Sequence, residues 1–131
     1  MGDAVIVSTA RTAIGTARKG TLLDVSAFDL AKYAAGEALD RSGIDKESVD
    51  DLQMGEVLQG GGDIARFAAI ELGLESVPGV ALNRHCASGM AAVQGAKTLS
   101  ETNVGGGANA LQVMLGNQGA GAGQPGAAEA A

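Results

Sequence analysis

The sequence predicts an α/β protein in which the elements alternate in the order βαβαβα, form a parallel sheet and are followed by a flexible tail. Three short apolar runs are separated by two segments with helical periodicity, and a third helical segment follows the last run. Strands that alternate with helices are typical of βαβ units, whose crossovers bring the strands together in parallel. The 131 residues suffice for one domain, but Tyr occurs once and Phe twice, so a modestly stable core is expected.

The first strand is predicted at residues 4–8, an apolar, β-branched run without polar alternation. This pattern is typical of a strand that is covered on both faces, so the run is expected at the centre of the sheet. Residues 9–23 have no period and predict a surface loop. Arg18 and Lys19 in this loop could meet an anionic ligand, but a solvated loop is the favoured interpretation.

The first helix is predicted over residues 27–41, where alanine and leucine recur at helical spacing. Ser26 and Asp29 have the pattern of a capping box, and Gly43 is expected to end the helix. Residues 52–58 predict a second strand that is less apolar than the first. The glycines that follow it lack the Lys and Ser/Thr of a phosphate-binding loop and therefore predict a plain turn.

The second half of the predicted domain repeats this alternation. Asp63 can cap a second helix, which closes at Gly73 and precedes a third strand at residues 79–83. The apolar face of that helix carries Ile64, Phe67, Ala68 and Leu72. The helix after Cys86 has small residues on every side, which predicts burial on all faces and close packing against other backbone. Residues 1–101 are thus assigned to a domain and the Gly/Ala-rich residues 102–131 to a low-complexity tail with one apolar patch at 111–115.

Composition argues against several classes of partner. The net charge is -6 and the basic residues are scattered, so a nucleic-acid partner is not expected. Apolar runs of membrane-spanning length and a signal sequence are missing, so no membrane association is expected. One cysteine and one histidine make neither an internal disulfide nor a zinc site, and no metal is expected. A reducing, cytoplasmic compartment fits best.

Cys86 is the candidate catalytic residue. It lies in residues 83–90 between the third strand and the last helix, and a direct strand-to-helix turn would place its sulfur at the helix N-terminus, where a thiolate is favoured. By residue type alone, a lone cysteine is more often a small buried hydrophobe. Its position and the Ala-Ser-Gly that follows it favour a nucleophile instead. His85 is disfavoured as its base, because neighbours along a strand point to opposite faces.

Four motifs together carry a resemblance to a known family: AVIVSTART at residues 4–12, MGEVLQ at 54–59, Ala-Arg at 65–66 and NRHCASG at 83–89. In order and spacing they resemble the thiolases, which are acyl-CoA C-acyltransferases of the acetyl-CoA acetyltransferase type. The resemblance covers roughly residues 4–100, and its last motif favours thiolases over ketoacyl synthases.

The resemblance implies a two-step acyl transfer. Cys86 would take an acyl group from one acyl-CoA as an acyl-cysteine, and the acyl group would pass to the carbanion of a second acetyl-CoA; the reverse cleaves a 3-ketoacyl-CoA. Acyl-CoA and CoA are then substrates, and no permanently bound cofactor is implied.

Several features of the family are not found in the sequence. After Leu99 we expect no fourth strand ending in Ala-Gly-Gly, and the CoA-binding loop domain, the activating histidine and the second cysteine are absent. Three hypotheses stay open. The chain is a thiolase N-terminal segment cut or frame-shifted near residue 100, with little activity alone; a binding module that forms homo-oligomers or pairs with a full-length thiolase; or a thiol-reactive redox protein.

Overall fold

The structure, a computed structural model, describes residues 3–16, 18–59, 61–102 and 111–112. Within these residues the α-helices are α1 (Ala27–Ser42), α2 (Ile64–Glu71) and α3 (Ser88–Thr102). The strands are β1 (Leu52–Gly55), β2 (Gly79–Leu82) and β3 (Leu111–Gln112). A single 3-10 turn, Lys46–Ser48, lies between α1 and β1.

The described strands form one parallel sheet in the order β2-β1-β3. Leu52 of β1 is in register with Gly79 on one side and with Leu111 on the other. Helix α2 connects β1 to β2 and α3 connects β2 to β3, so both connections are βαβ crossovers. The predicted α/β class and the parallel sheet are confirmed.

Alternation along β1 distributes the helices between the two faces of the sheet. Leu52 and Met54 are fully buried in the core that contains the apolar residues of α1 and α2. Gln53 lies against Gly95 of α3. Because successive side chains of a strand point to opposite faces, α2 covers one face and α3 the other. Helix α1 packs behind α2, and the edge-to-face contact of Phe28 with Phe67, at 4.9 Å between centroids, joins them.

The predicted helix caps are confirmed. Ser26 Oγ accepts a hydrogen bond from Asp29 N at 3.0 Å at the start of α1, and Gly43 ends that helix with a left-handed φ of 67°. Asp63 Oδ1 accepts from Arg66 N at 3.0 Å at the start of α2, and Gly73 beyond its end is also left-handed. These local signals predicted α1 and α2 to within two residues.

The predicted first strand is wrong: residues 4–8 have no regular secondary structure. Val5 and Ile6 are 76% and 82% exposed, although their pattern predicts burial on both faces. The central position assigned to them is occupied by β1, which has a strand on each side and a helix on each face. In the described part of the chain, no strand pairs with residues 4–8.

A strand follows α3, contrary to the expectation that none occurs after Leu99. Leu111–Gln112 pairs with Leu52 and Gln53 inside the region predicted as a tail, at the start of its one apolar patch. The rest of the predicted tail, 103–110 and 113–131, lies outside the described residues. The domain boundary at residue 101 therefore stays a prediction.

The prediction that α3 is buried on all faces is also wrong. Its buried residues are Ser88, Ala92 and Ala96, which recur every four residues and form a single stripe. The stripe faces the sheet, and among the described elements the extensive contacts of α3 are with the strands. The predicted close packing of this helix against other backbone is confirmed, because the start of α3 lies directly on Gly55 of β1.

Candidate functional site

Cys86 lies in an exposed turn, residues 83–87, that joins the carboxyl end of β2 to the start of α3. Strand β2 ends at Leu82 and α3 begins at Ser88, so the predicted junction is present but takes five residues instead of a direct turn. Ala91 N donates to Ala87 O at 2.9 Å, which makes Ala87 the residue from which the helix starts. The thiol is exposed, so the interpretation of Cys86 as a buried hydrophobe does not hold.

The Cys86 turn is closed by a set of short hydrogen bonds. Asn83 Oδ1 accepts from His85 N at 3.0 Å, and Ala87 N donates to Arg84 O at 3.0 Å. Ser88 Oγ accepts from Arg84 N at 2.8 Å and donates to His85 O at 2.7 Å. The backbone on both sides of Cys86 is therefore tied together.

His85 is an exposed turn residue with a φ of 48°, in the left-handed region. The predicted orientation of its ring, away from the sulfur, required an extended strand at His85, but β2 ends three residues earlier. Left-handed conformations of residues other than glycine persist where surrounding contacts enforce them. Here the bonds of Asn83 and Ser88 to the His85 backbone supply those contacts.

Gly55 in β1 lets the start of α3 lie directly on the sheet. A Cβ at residue 55 would lie 2.8 Å from Gly89 N and 2.9 Å from the Ser88 carbonyl carbon. Those are backbone atoms that a side chain cannot displace cheaply. The sequence contained Gly55 and Ser88 within two family-like motifs, but their mutual contact required the fold.

Arg66, in a third motif, positions the strand that leads to Cys86. Its guanidinium donates to Val77 O at 2.7 Å and to Glu75 O at 3.0 Å, which ties α2 to the loop before β2. A Cβ at Gly79 would lie 2.6 Å from Arg66 Cα, so β2 starts in close contact with the α2 backbone. The motif residues thus orient β2 and the turn at its end.

The other sequence candidates lie apart from Cys86 along the chain. Arg18 and Lys19 are exposed in the loop before α1. Gly61 and Gly62 are left-handed residues of a turn, as predicted. No group of three metal-ligating His, Cys, Asp or Glu side chains occurs among the described residues. In the same part of the chain, no helix has the length and apolar character needed to cross a bilayer.

Fold and site together define an α/β domain that presents a cysteine between a strand and a helix. The sequence model of the protein family "Thiolase, N-terminal domain" matches residues 4–111 of this chain. Acetyl-CoA acetyltransferases of Cupriavidus necator and Escherichia coli are each 43% identical over 96 residues, which is 71% of this chain and 24% of theirs. A solved thiolase from Ascaris suum in complex with coenzyme A has a TM-score of 0.73 at 31% identity, covering 77% of this chain and 27% of that one.

The chain belongs to the thiolase family, as its motifs predict. It spans about a quarter of the length of the curated relatives that it matches. The match extends to residue 111, past the limit near residue 100 drawn from the motifs, and it reaches the start of β3. The similarity therefore reaches the first residue of the strand that the motifs did not reveal.

Proposed function

We propose that this chain accepts an acyl group from an acyl-CoA on the Cys86 sulfur, which is the first half of a thiolase reaction. The observation that carries the proposal is an exposed cysteine in the turn between β2 and α3 of a chain that belongs to this family. Two relatives are acetyl-CoA acetyltransferases, and the Ascaris structure contains coenzyme A. Acetyl-CoA is therefore the substrate to test first.

The chemistry requires a thiol that can be both nucleophile and leaving group. The sulfur of Cys86 attacks the thioester carbonyl, and the bond from that carbon to the CoA sulfur breaks. CoA leaves as a thiolate and takes up the proton that the Cys86 thiol has lost. A thioester is consumed and a thioester is formed, so the exchange is nearly balanced. Cys86 precedes α3, and the positive end of the helix dipole favours negative charge in its vicinity.

The second half of the reaction needs groups that these 131 residues do not supply. Transfer of the acyl group to a second acetyl-CoA requires a base that removes a proton from the methyl carbon. The histidine and second cysteine that the resemblance assigns to this chemistry have no counterpart in the sequence. In our proposal the chain by itself stops at the acyl-cysteine, in a reducing, cytoplasm-like compartment that keeps the thiol free.

The test is the intact mass of the full chain after incubation with acetyl-CoA, with Cys86→Ala as the control. We expect one acetyl group on the unmodified chain, removal of that group by neutral hydroxylamine, and no adduct on the variant. An unmodified chain that gains no acetyl group would refute the proposal. Equal acetylation of Cys86→Ala would refute the assignment of the nucleophile.

A second candidate function is association with another thiolase chain, favoured by exposed apolar side chains in the described residues. Val5, Ile6 and Ile14 are 76%, 82% and 81% exposed, and β2 is an edge strand of the described sheet. Exposed apolar surface and unpaired strand edges are sites of association. Light scattering of the chain, alone and with a full-length thiolase, would detect the complex, and Ile6→Lys should weaken it. A monomer that ignores the partner contradicts this candidate.

The redox hypothesis makes a different prediction about the same thiol. An exposed cysteine that senses oxidants would be alkylated by iodoacetamide at a rate that acetyl-CoA does not change. An acyl-accepting cysteine would be protected, because the acetylated sulfur no longer reacts. Protection that follows the extent of acetylation would exclude a purely redox role.

A further inference from the structure

We infer that Ser88 is a positioning residue for Cys86, an assignment that rests on the proposed acyl transfer. Its hydroxyl contacts two backbone groups that precede the cysteine: it accepts from Arg84 N at 2.8 Å and donates to His85 O at 2.7 Å. Ser88 itself follows Cys86 in the chain. One side chain therefore closes the turn across the nucleophile and joins the end of the β2 segment to the first residue of α3.

Ser88 is the fixed point of an otherwise exposed turn. It is 4% exposed, whereas residues 83–87 are all exposed. Its Cβ lies over Gly55 of β1, where an added Cβ would come within 2.9 Å of it. Displacement of Ser88 towards the sheet is therefore resisted by packing. Through its two hydrogen bonds, the hydroxyl restrains the backbone of the two residues before Cys86.

The hydrogen bond that Ser88 Oγ accepts from Arg84 N distinguishes this residue from an ordinary helix serine. Hydroxyls on helices commonly donate to a carbonyl three or four residues earlier, as Thr98 Oγ1 does to Gln94 O at 2.9 Å in the same helix. Ser88 makes such a bond to His85 O, but it also accepts from Arg84 N, a backbone group outside the helix. Thr98→Ala is therefore a matched control that removes a hydroxyl from α3 without touching the turn.

The expected effect is on the rate of acyl transfer and not on binding. Misplacement of a reacting group by about 1 Å lowers a rate on the order of a hundredfold. In single-turnover acetylation followed by intact mass, we expect Ser88→Ala to lower the limiting rate at least about tenfold at an unchanged half-saturating acetyl-CoA concentration. Alkylation by iodoacetamide, which needs little orientation, should stay within about twofold. Thr98→Ala should match the unmodified chain in all three measurements.

Amide hydrogen exchange gives a readout that does not depend on acyl-CoA. The Arg84 amide should be protected in the unmodified chain and should exchange faster in Ser88→Ala, while the Leu52 amide, bonded to Pro78 O, keeps its protection as a check that the sheet is intact. An Arg84 amide that exchanges freely in the unmodified chain overturns the inference even if the variant does not fold. So does acetylation of Ser88→Ala at the unmodified rate, which leaves the proposed function standing. Absence of acetylation in every chain refutes the proposed function; the exchange result then decides whether Ser88 holds the turn.

Discussion

Replacement of Gly55 by alanine tests whether close packing of β1 against α3 determines where the cysteine turn lies. The added Cβ would lie 2.8 Å from Gly89 N and 2.9 Å from two atoms of Ser88. Ordinary carbon contacts are about 3.5–4.0 Å, so the start of α3 would have to move by roughly 1 Å. The φ of Gly55 is not in the left-handed region, so the strand backbone itself accepts alanine.

The energetic effect follows from what the new methyl group meets. Overpacking of a well-packed interior destabilises by about 1–3 kcal/mol, and contact with backbone places Gly55→Ala in the upper half of that range. Urea unfolding followed by circular dichroism would measure it. We also expect slower acetylation of Cys86, because Ser88 would move with the helix.

Gly36→Ala is the matched control. There the added Cβ would lie 3.0 Å from Leu72 Cδ2, the end of a flexible side chain, and the position is inside α1. Alanine is preferred to glycine in a helix by about 1 kcal/mol, so this variant should be neutral or slightly stabilised. Equal stability of the two variants would contradict the close contact of β1 with the start of α3.

Two further predictions concern the helices that support the sheet. Glu56 Oε2 accepts from Ile64 N at 2.7 Å at the start of α2, so Glu56→Ala should lower the unfolding free energy by about 1–2 kcal/mol in urea titrations and Glu56→Gln, which keeps an acceptor, by less than half of that; equal losses would contradict this role. The hydrogen bond from Lys32 to Glu71 at 2.8 Å, and then the attraction between their charges, raise the pKa of Lys32 above its ordinary value of 10.5. Because the pKa of Lys32 is higher in the folded state, the stabilisation by this ion pair is present below pH 10.5 and is lost as pH rises through the raised value. The difference in unfolding free energy between the unmodified chain and Lys32→Met should therefore vanish at strongly alkaline pH. A difference that does not change with pH would refute the pairing.

The sequence by itself determined the three helices, the strands β1 and β2, and the family. The helix caps at Ser26, Gly43 and Asp63 depend only on interactions with residues a few positions away. They could therefore be predicted from the sequence without knowledge of the fold. The apolar runs at β1 and β2 and the small residues of α3 were likewise assigned correctly as elements. The position of Cys86 between a strand and a helix followed from these elements alone.

Only the tertiary structure decided which strand is central, how the cysteine turn is held and where apolar residues remain exposed. The β-branched run at residues 4–8 predicts burial on two faces, but a local pattern does not determine which strand lies beside it. Its apolar residues are exposed, and β1 occupies the centre of the sheet. The contact of Gly55 with Ser88 joins residues 33 positions apart in the sequence, which no local pattern encodes. The spacing of apolar residues along a helix or strand reflects its local geometry, whereas packing depends on which elements come into contact. The contacts that hold the Cys86 turn were therefore visible only in the folded structure.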